Sequence, residues 1–178
     1  MLTRNPDNIE VRSGIEVIEG NVLSRDSIIE LINGCHTVIN TLGQPVKKVP
    51  IYNQTTTSIL EVMKEYGVRR YIGVTGGSLN VSGDQKSLIN KAGAKLFELF
   101  LREMMIDKQN ELRTLENSKL DWTLVRLPFV KEGPGTGYVK EDLRDMPGVK
   151  IENMDIARFI INQVKDKKYV RSTPFISN

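Results

Sequence analysis

Cysteine and histidine occur once each, as Cys35 and His36, and that scarcity closes off two kinds of chemistry. A lone cysteine cannot form an internal disulfide, which suits a reducing compartment. A lone histidine removes most histidine-based metal sites, so no metal is expected. Long apolar runs are also missing: none reaches the ~18 residues of a membrane span, and the polar opening Met1 to Pro6 lacks the character of a signal peptide. A cytoplasmic protein without a membrane partner is expected. Nor does one sign of charge dominate, since 25 Lys+Arg against 22 Asp+Glu leave +3 spread along the chain with no basic block, which argues against nucleic acid as the partner. What the 178 residues provide is a single domain, 1–178, long enough to bury ~70% of its unfolded surface.

The chain is organised around the stretch Arg69 to Ser78, where the apolar run Tyr71-Ile72-Gly73-Val74 leads directly into Thr75-Gly76-Gly77-Ser78. Apolar residues without polar alternation suit a strand covered on both faces, as the parallel strands of an α/β sheet are. Small residues at its exit allow a sharp turn and a close approach of ligand to backbone. The carboxyl end of this strand therefore reads as the opening of a site, the other reading being an ordinary strand-loop junction.

The remaining elements alternate around it. Leu2-Thr3 ends a first strand, and Ile15 to Glu19 forms a second that exits at Gly20-Asn21. Ser24 caps a helix whose buried face is Ile28, Ile29, Leu31 and Ile32, with Gly34 as its stop. Thr37 to Thr41 is a strand; Pro50 opens a helix that runs to Tyr66 and stops at Gly67. Beyond the loop Leu79 to Ser87, the helical stretch Leu88 to Ser118 carries so many apolar positions that it is either covered on more than one side or broken near Asp107. Trp122 to Val125 is a buried strand, Lys131 to Pro147 a loop, Asp155 to Val164 the last helix and Tyr169 to Ile176 the last strand. Such alternation predicts right-handed crossovers and a doubly wound parallel α/β sheet. Ligands then lie outside the carboxyl ends of its strands, here Gly20-Asn21, Asn40 to Gly43, Thr75 to Ser78 and Leu127 to Phe129.

Four signatures in this order, Arg4-Asn5-Pro6, Gly20-Asn21-Val22, Gly67-Val68-Arg69-Arg70-Tyr71 and Leu120-Asp121-Trp122-Thr123-Leu124-Val125-Arg126, resemble the atypical short-chain dehydrogenase/reductases. Within that family the likeness is to the NAD(P)H-binding, Rossmann-like NmrA-like and flavin reductase/biliverdin-IXβ reductase group, and it runs from Leu2 to Val164. It implies a cofactor site. Arg4 falls beside the adenosine ribose, where its guanidinium forks onto a 2′-phosphate and favours NADP over NAD; the other reading is a solvated loop charge. Asn21 matches the position that bonds the adenine amino group through a side-chain oxygen, or else is a plain turn-former. Asn40, Thr41, Leu42 and Gly43 match the segment beside the ribose and diphosphate. Thr75, Gly76, Gly77 and Ser78 match the strand end beneath the nicotinamide, where relatives place a serine, and Pro128 and Phe129 flank the nicotinamide face. Lys108 matches a lysine or histidine near the nicotinamide ribose; the tyrosine that ordinary short-chain dehydrogenases carry four residues earlier is Met104 here. Lys108 and Ser78 are thus the candidate catalytic residues, although Lys108 also reads as a solvated helix lysine.

By the same resemblance, relatives carry a glycine-rich turn, G-x-x-G-x-x-G, in a βα unit ahead of the position of Arg4. No such turn occurs in this sequence, so the chain reads as N-terminally truncated, without its first βα unit. Three or four backbone N–H bonds to the diphosphate at about 1 kcal/mol each amount to roughly a few hundred- to a thousandfold in affinity. A gap of one strand leaves two edges unpaired, from which self-association or a shifted half-sheet is expected. The implied activity is hydride transfer from NADPH to a small-molecule acceptor such as a flavin, for which stacking suffices without a dedicated acid. The alternative is a non-catalytic NmrA-like regulator that senses NADP and binds a protein.

Overall fold

A computed structural model of the chain describes residues 1–8, 13–45 and 48–178. Its centre is the hub strand, β4 (Arg70–Gly76), which pairs in parallel with β5 (Asp121–Leu127) over its whole length, Arg70 against Asp121 through Gly76 against Leu127. On the other side β3 (Thr37–Asn40) pairs in parallel with β4. Outside β5 lies β9 (Phe175–Ser177), parallel to it, and outside β9 lies β7 (Lys140–Asp142), antiparallel, so the order is β3-β4-β5-β9-β7. The first strands, β1 (Leu2–Thr3) and β2 (Ile18–Glu19), form a separate parallel pair. A third small sheet joins β6 (Phe129–Lys131) to β8 (Lys150–Glu152).

The alternation of side chains along β4 sorts two cores, as a doubly wound sheet requires. Tyr71 points into a layer built by α1 (Arg25–Ile32), α2 (Tyr52–Glu65) and α4 (Arg102–Asn117), among Ile28, Ile59, Leu112 and Leu124. Ile72 points the other way, toward Val125, Phe159 and Ile160 beneath α5 (Asn153–Lys165). Arg70 ties this second layer down: its Nη1 donates to Asp121 O at 2.7 Å and Thr123 Oγ1 at 2.9 Å, and its Nε and Nη2 donate to Gln163 O at 3.1 and 2.8 Å. Ile39, the register partner of Ile72 on the outer strand β3, is 44% exposed. None of the helices among the described residues is long and apolar enough to cross a membrane.

The fold class is the one expected, and Ser24 caps α1 as read, accepting from Ser27 N. Several boundaries differ. The long helical stretch breaks at Leu101 (φ −127°, ψ 39°) and not near Asp107, giving α3 (Leu88–Phe100) and α4. Asp107 lies inside α4, where its carboxylate serves another helix. The segment Lys131 to Pro147 is not all loop: Lys140-Glu141-Asp142 forms the edge strand β7, whose exposed charged side chains guard a sheet edge. Pro50 precedes α2 and is not part of its first turn. The second strand pairs only over Ile18–Glu19. The last is shortened to Phe175–Ser177 because Arg171 at φ 56° interrupts the extended run, leaving an isolated bridge between Ser172 and Thr123.

Candidate functional site

The exits of β4 and β5 converge. Gly77 N donates to Leu127 O at 2.8 Å, and a Cβ on Gly77 would stand 3.3 Å from that carbonyl and collide with the Met146 methyl. The glycine therefore leaves room for the Met146 side chain and for the close Leu127 carbonyl, both of which a side chain would have to displace. Against this junction α3, begun by its cap Ser87, lays one face to close a cavity of about 380 Å³. Its wall is mostly apolar and includes Ser78, Gly93, Phe97, Pro128, Met146 and Val149. Phe129 stands at its rim, 70% exposed, and is a surface aromatic beside the cavity, not a core residue.

Under the cavity lies a buried ionic cluster. Arg126, fully buried, reaches both Asp84 oxygens with Nη1 (2.7 and 2.8 Å), gives Nε to Thr173 O (2.9 Å) and Nη2 to Leu143 O (3.1 Å), and stacks 3.4 Å above the Phe175 ring. Lys86 donates to Leu79 O at 2.8 Å and Asn80 Oδ1 at 3.0 Å, with Asp84 at 3.5 Å. Burial pushes the Lys86 ammonium below the ordinary lysine value while Asp84 opposes the shift. One carboxylate thus holds two buried cations, and the loop from Ser78 to Lys86 is fastened to β5.

Behind the β4 exit, on the α4 side of the sheet, sits a second polar group. Lys108, 9% exposed, directs its ammonium to Thr75 Oγ1 at 3.3 Å and over the Tyr52 ring, 3.8 Å from the centroid. It is therefore no solvated helix lysine; burial lowers its pKa, with Glu111 and Asp107 opposing. One turn on, Glu111 accepts from Thr56 Oγ1 at 2.8 Å, and its other oxygen is buried without a partner among the described residues. Burial raises its pKa, which Lys108 offsets in part. Thr56 Oγ1 lies 3.3 Å from Tyr71 OH, which receives Asn40 Nδ2 at 2.9 Å. Asn40 also accepts from Leu42 N at 3.0 Å, so its amide shapes the β3 exit. Ser78, by contrast, directs its hydroxyl to Met105 Sδ at 3.6 Å. Lys108 and Ser78 flank the same strand end but are not bonded to each other.

The other predicted residues spread along the same edge of the sheet. Arg4 is exposed just past β1, with no ion pair among the described residues. Asn21 follows β2 and accepts from Leu23 N at 3.0 Å, so its turn-forming role is realised and one lone pair of its oxygen remains. Thr41, Leu42 and Gly43 continue from β3, and a Cβ on Gly43 would meet nothing within 4 Å. This edge offers a dinucleotide an exposed guanidinium at Arg4 without an ion pair among the described residues, open backbone at Gly43 and Gly76, and a mostly apolar cavity. The diphosphate is less well served. The helix N-termini nearest this edge already hold internal acceptors: Ser24 for α1, Asp107 for α2 through Tyr52 N (2.8 Å) and Asn53 N (3.2 Å), and Ser87 with Asp145 for α3. No metal-binding cluster of three or more His, Cys, Asp or Glu occurs among the described residues.

A model of a family described as NAD(P)H-binding matches residues 1–167. The chain belongs to that NAD(P)H-binding family. Solved structures agree on the fold. A short-chain dehydrogenase/reductase from Veillonella parvula, in complex with NADP, superposes with a TM-score of 0.73 at 17% identity, covering 98% of this chain and 76% of that one. The oxidoreductase ylbE from Lactococcus lactis gives 0.76 at 14%, covering 99% and 78%. ChuY, an anaerobillin reductase from Escherichia coli, gives 0.71 at 16%, covering 92% and 75%. No curated protein matches the chain. The chain thus belongs to an NAD(P)H-binding family and shares the fold of these solved structures.

Sequence reasoning missed Asp84, Lys86, Glu111 and the role of Arg126. A signal existed for Arg126 alone: a charged residue inside the run Trp122 to Leu127 on a buried strand needs a partner. Nothing local pointed to Asp84, 42 residues away in a loop.

Proposed function

We propose that this protein is an NAD(P)H-dependent reductase of the flavin reductase-like group, cytoplasmic and NADPH-preferring, that passes a hydride to a flavin or similar conjugated acceptor. The observation that carries this reading is the mostly apolar cavity at the exits of β4 and β5, whose wall offers no uncommitted acid. Ser78 is turned to Met105, and Lys86 is held by Leu79, Asn80 and Asp84. Such a wall suits an acceptor that needs stacking more than protonation. When bound, the cofactor supplies the hydride. The chain's residues would orient it: Pro128 and Phe129 would flank the flat ring, Gly76 would leave its face open, and Lys108, through Thr75, would set positive charge behind the strand end. Ile89 and Phe97 of α3 line the opposite wall. Self-association through the outer edges of β1 and β3 belongs to the same proposal.

Steady-state oxidation of NADPH with FMN as acceptor tests it. FMN-dependent turnover is expected. NADPH binding without turnover with any conjugated acceptor would support the sensing regulator instead, and failure to bind nucleotide would sink both.

A further inference from the structure

A second cavity, of about 330 Å³, shares no lining residue with the first. It opens near the start of β5, between the loop at Ser82-Gly83, the end of α4 at Glu116, and the segment Arg171 to Thr173, with Arg144 on its rim. Trp122 forms part of its wall. This indole is 3% exposed, and its Nε1–H has no acceptor among the described residues. A buried donor left without a partner is costly, and in native proteins it is commonly answered by a water or an ion. Arg171, also in the wall, is the sole described non-glycine residue in the left-handed region, at φ 56°. That backbone is held by Arg171 N donating to Trp122 O at 2.6 Å. Its guanidinium donates from Nη1 to Ser118 O at 2.7 Å and from Nη2 to Glu116 O at 2.9 Å. Of the five N–H donors that a guanidinium carries, the others have no partner among the described residues. Strain kept at a residue whose side chain faces a cavity points toward use.

Two arginines, two serines and a tryptophan with an unanswered indole N–H line this cavity against a single acidic residue, Glu116. We propose that this cavity is a binding site for a small organic oxyanion, a carboxylate or phosphate, held between Arg144 and Arg171 with an oxygen accepting from Trp122. Arginine forks suit such planar or tetrahedral oxyanions. The volume sits at the lower end of the ~300–1,000 Å³ of ligand pockets, which favours a small acid over a dinucleotide.

Trp122 is the chain's single tryptophan, so all indole emission comes from a residue in this cavity's wall. Nucleotide-free protein would be titrated with citrate and with inorganic phosphate at constant ionic strength set by chloride. A saturable change in Trp122 emission is expected with at least one of them, the stronger marking which chemistry the site takes. Arg144→Gln and Arg171→Gly should each weaken it about tenfold or more, as loss of a charge-assisted bond does. Glycine tolerates the left-handed backbone at 171, circular dichroism would check that the variant folds without the bonds to Glu116 and Ser118, and NADPH titration at the opposite end of β5 should be unchanged in both. No saturable change with either anion would mean that water alone satisfies the indole and would overturn the proposal. So would equal affinities in the parent and both variants.

Discussion

Replacing Asp84 by asparagine removes the carboxylate that ion-pairs with both Arg126 and Lys86 while keeping the shape of the side chain. The exposures of the groups concerned, 0% for the Arg126 side chain, 4% for Lys86 and 11% for Asp84, place the cluster in the regime where breaking an ion pair leaves an uncompensated buried charge. The cost is about 3–5 kcal/mol, a large part of the ~5–15 kcal/mol that holds a domain folded. At about 2–4 °C per kcal/mol for a chain of this size, the melting temperature should fall by roughly 6–20 °C. Urea denaturation followed by circular dichroism would give the free-energy change, with an unchanged slope showing that the unfolded state is not the cause. Adding Lys86→Met to Asp84→Asn should recover part of the loss, since one stranded cation is then gone. A loss below about 1 kcal/mol, or a double variant worse than the sum of its parts, would refute the assignment of Asp84 as the shared counter-ion.

Arg4→Ala should erase a preference for NADPH over NADH and leave NADH affinity as it was; equal affinities in the unmutated protein would remove the 2′-phosphate role. Lys108→Met keeps the packed stem over Tyr52 and removes the charge, so turnover with FMN should fall at least tenfold, about 1.4 kcal/mol, while the fold persists; an unchanged rate would make Lys108 purely structural. Glu111 titrates above its ordinary value because it is buried, so the folded state binds a proton that the unfolded state releases. Its contribution is full below the unfolded pKa of 4.5 and is lost as pH rises toward the raised folded value. Glu111→Gln should therefore flatten the fall in stability over that window, and a pH-stability profile identical to the parent's would contradict the upward shift assigned to burial.

The parts of the fold visible in the sequence were those whose cause is local. An unbroken apolar run marked β4, Ser24 marked the start of α1, and strand-helix alternation marked the doubly wound sheet. The misread parts have distant causes. The N-terminus of α2 has no cap of its own, Ile51 standing there, and borrows Asp107 from 55 residues along the chain, a pairing that no local pattern shows. Lys140-Glu141-Asp142 has no apolar signature because β7 shows its side chains to water and exists only by pairing with β9. The resemblance brought Lys108, Ser78, Gly76 and Pro128 to neighbouring strand ends. Glu111 and the Asp84 cluster came into view only once β4, α2 and α4 were packed together.

Gly93 offers the most direct measurement of the central claim. It lines the first cavity in mid-helix, and a Cβ there would meet nothing within 4 Å. Gly93→Leu should therefore raise helix stability by about 0.5–1 kcal/mol while its side chain fills the space assigned to the acceptor. Measured side by side, FMN-dependent NADPH oxidation should drop at least tenfold in Gly93→Leu while NADPH affinity holds and the melting temperature rises. An undiminished rate in that better-folded variant would place the chemistry outside this cavity and contradict the account.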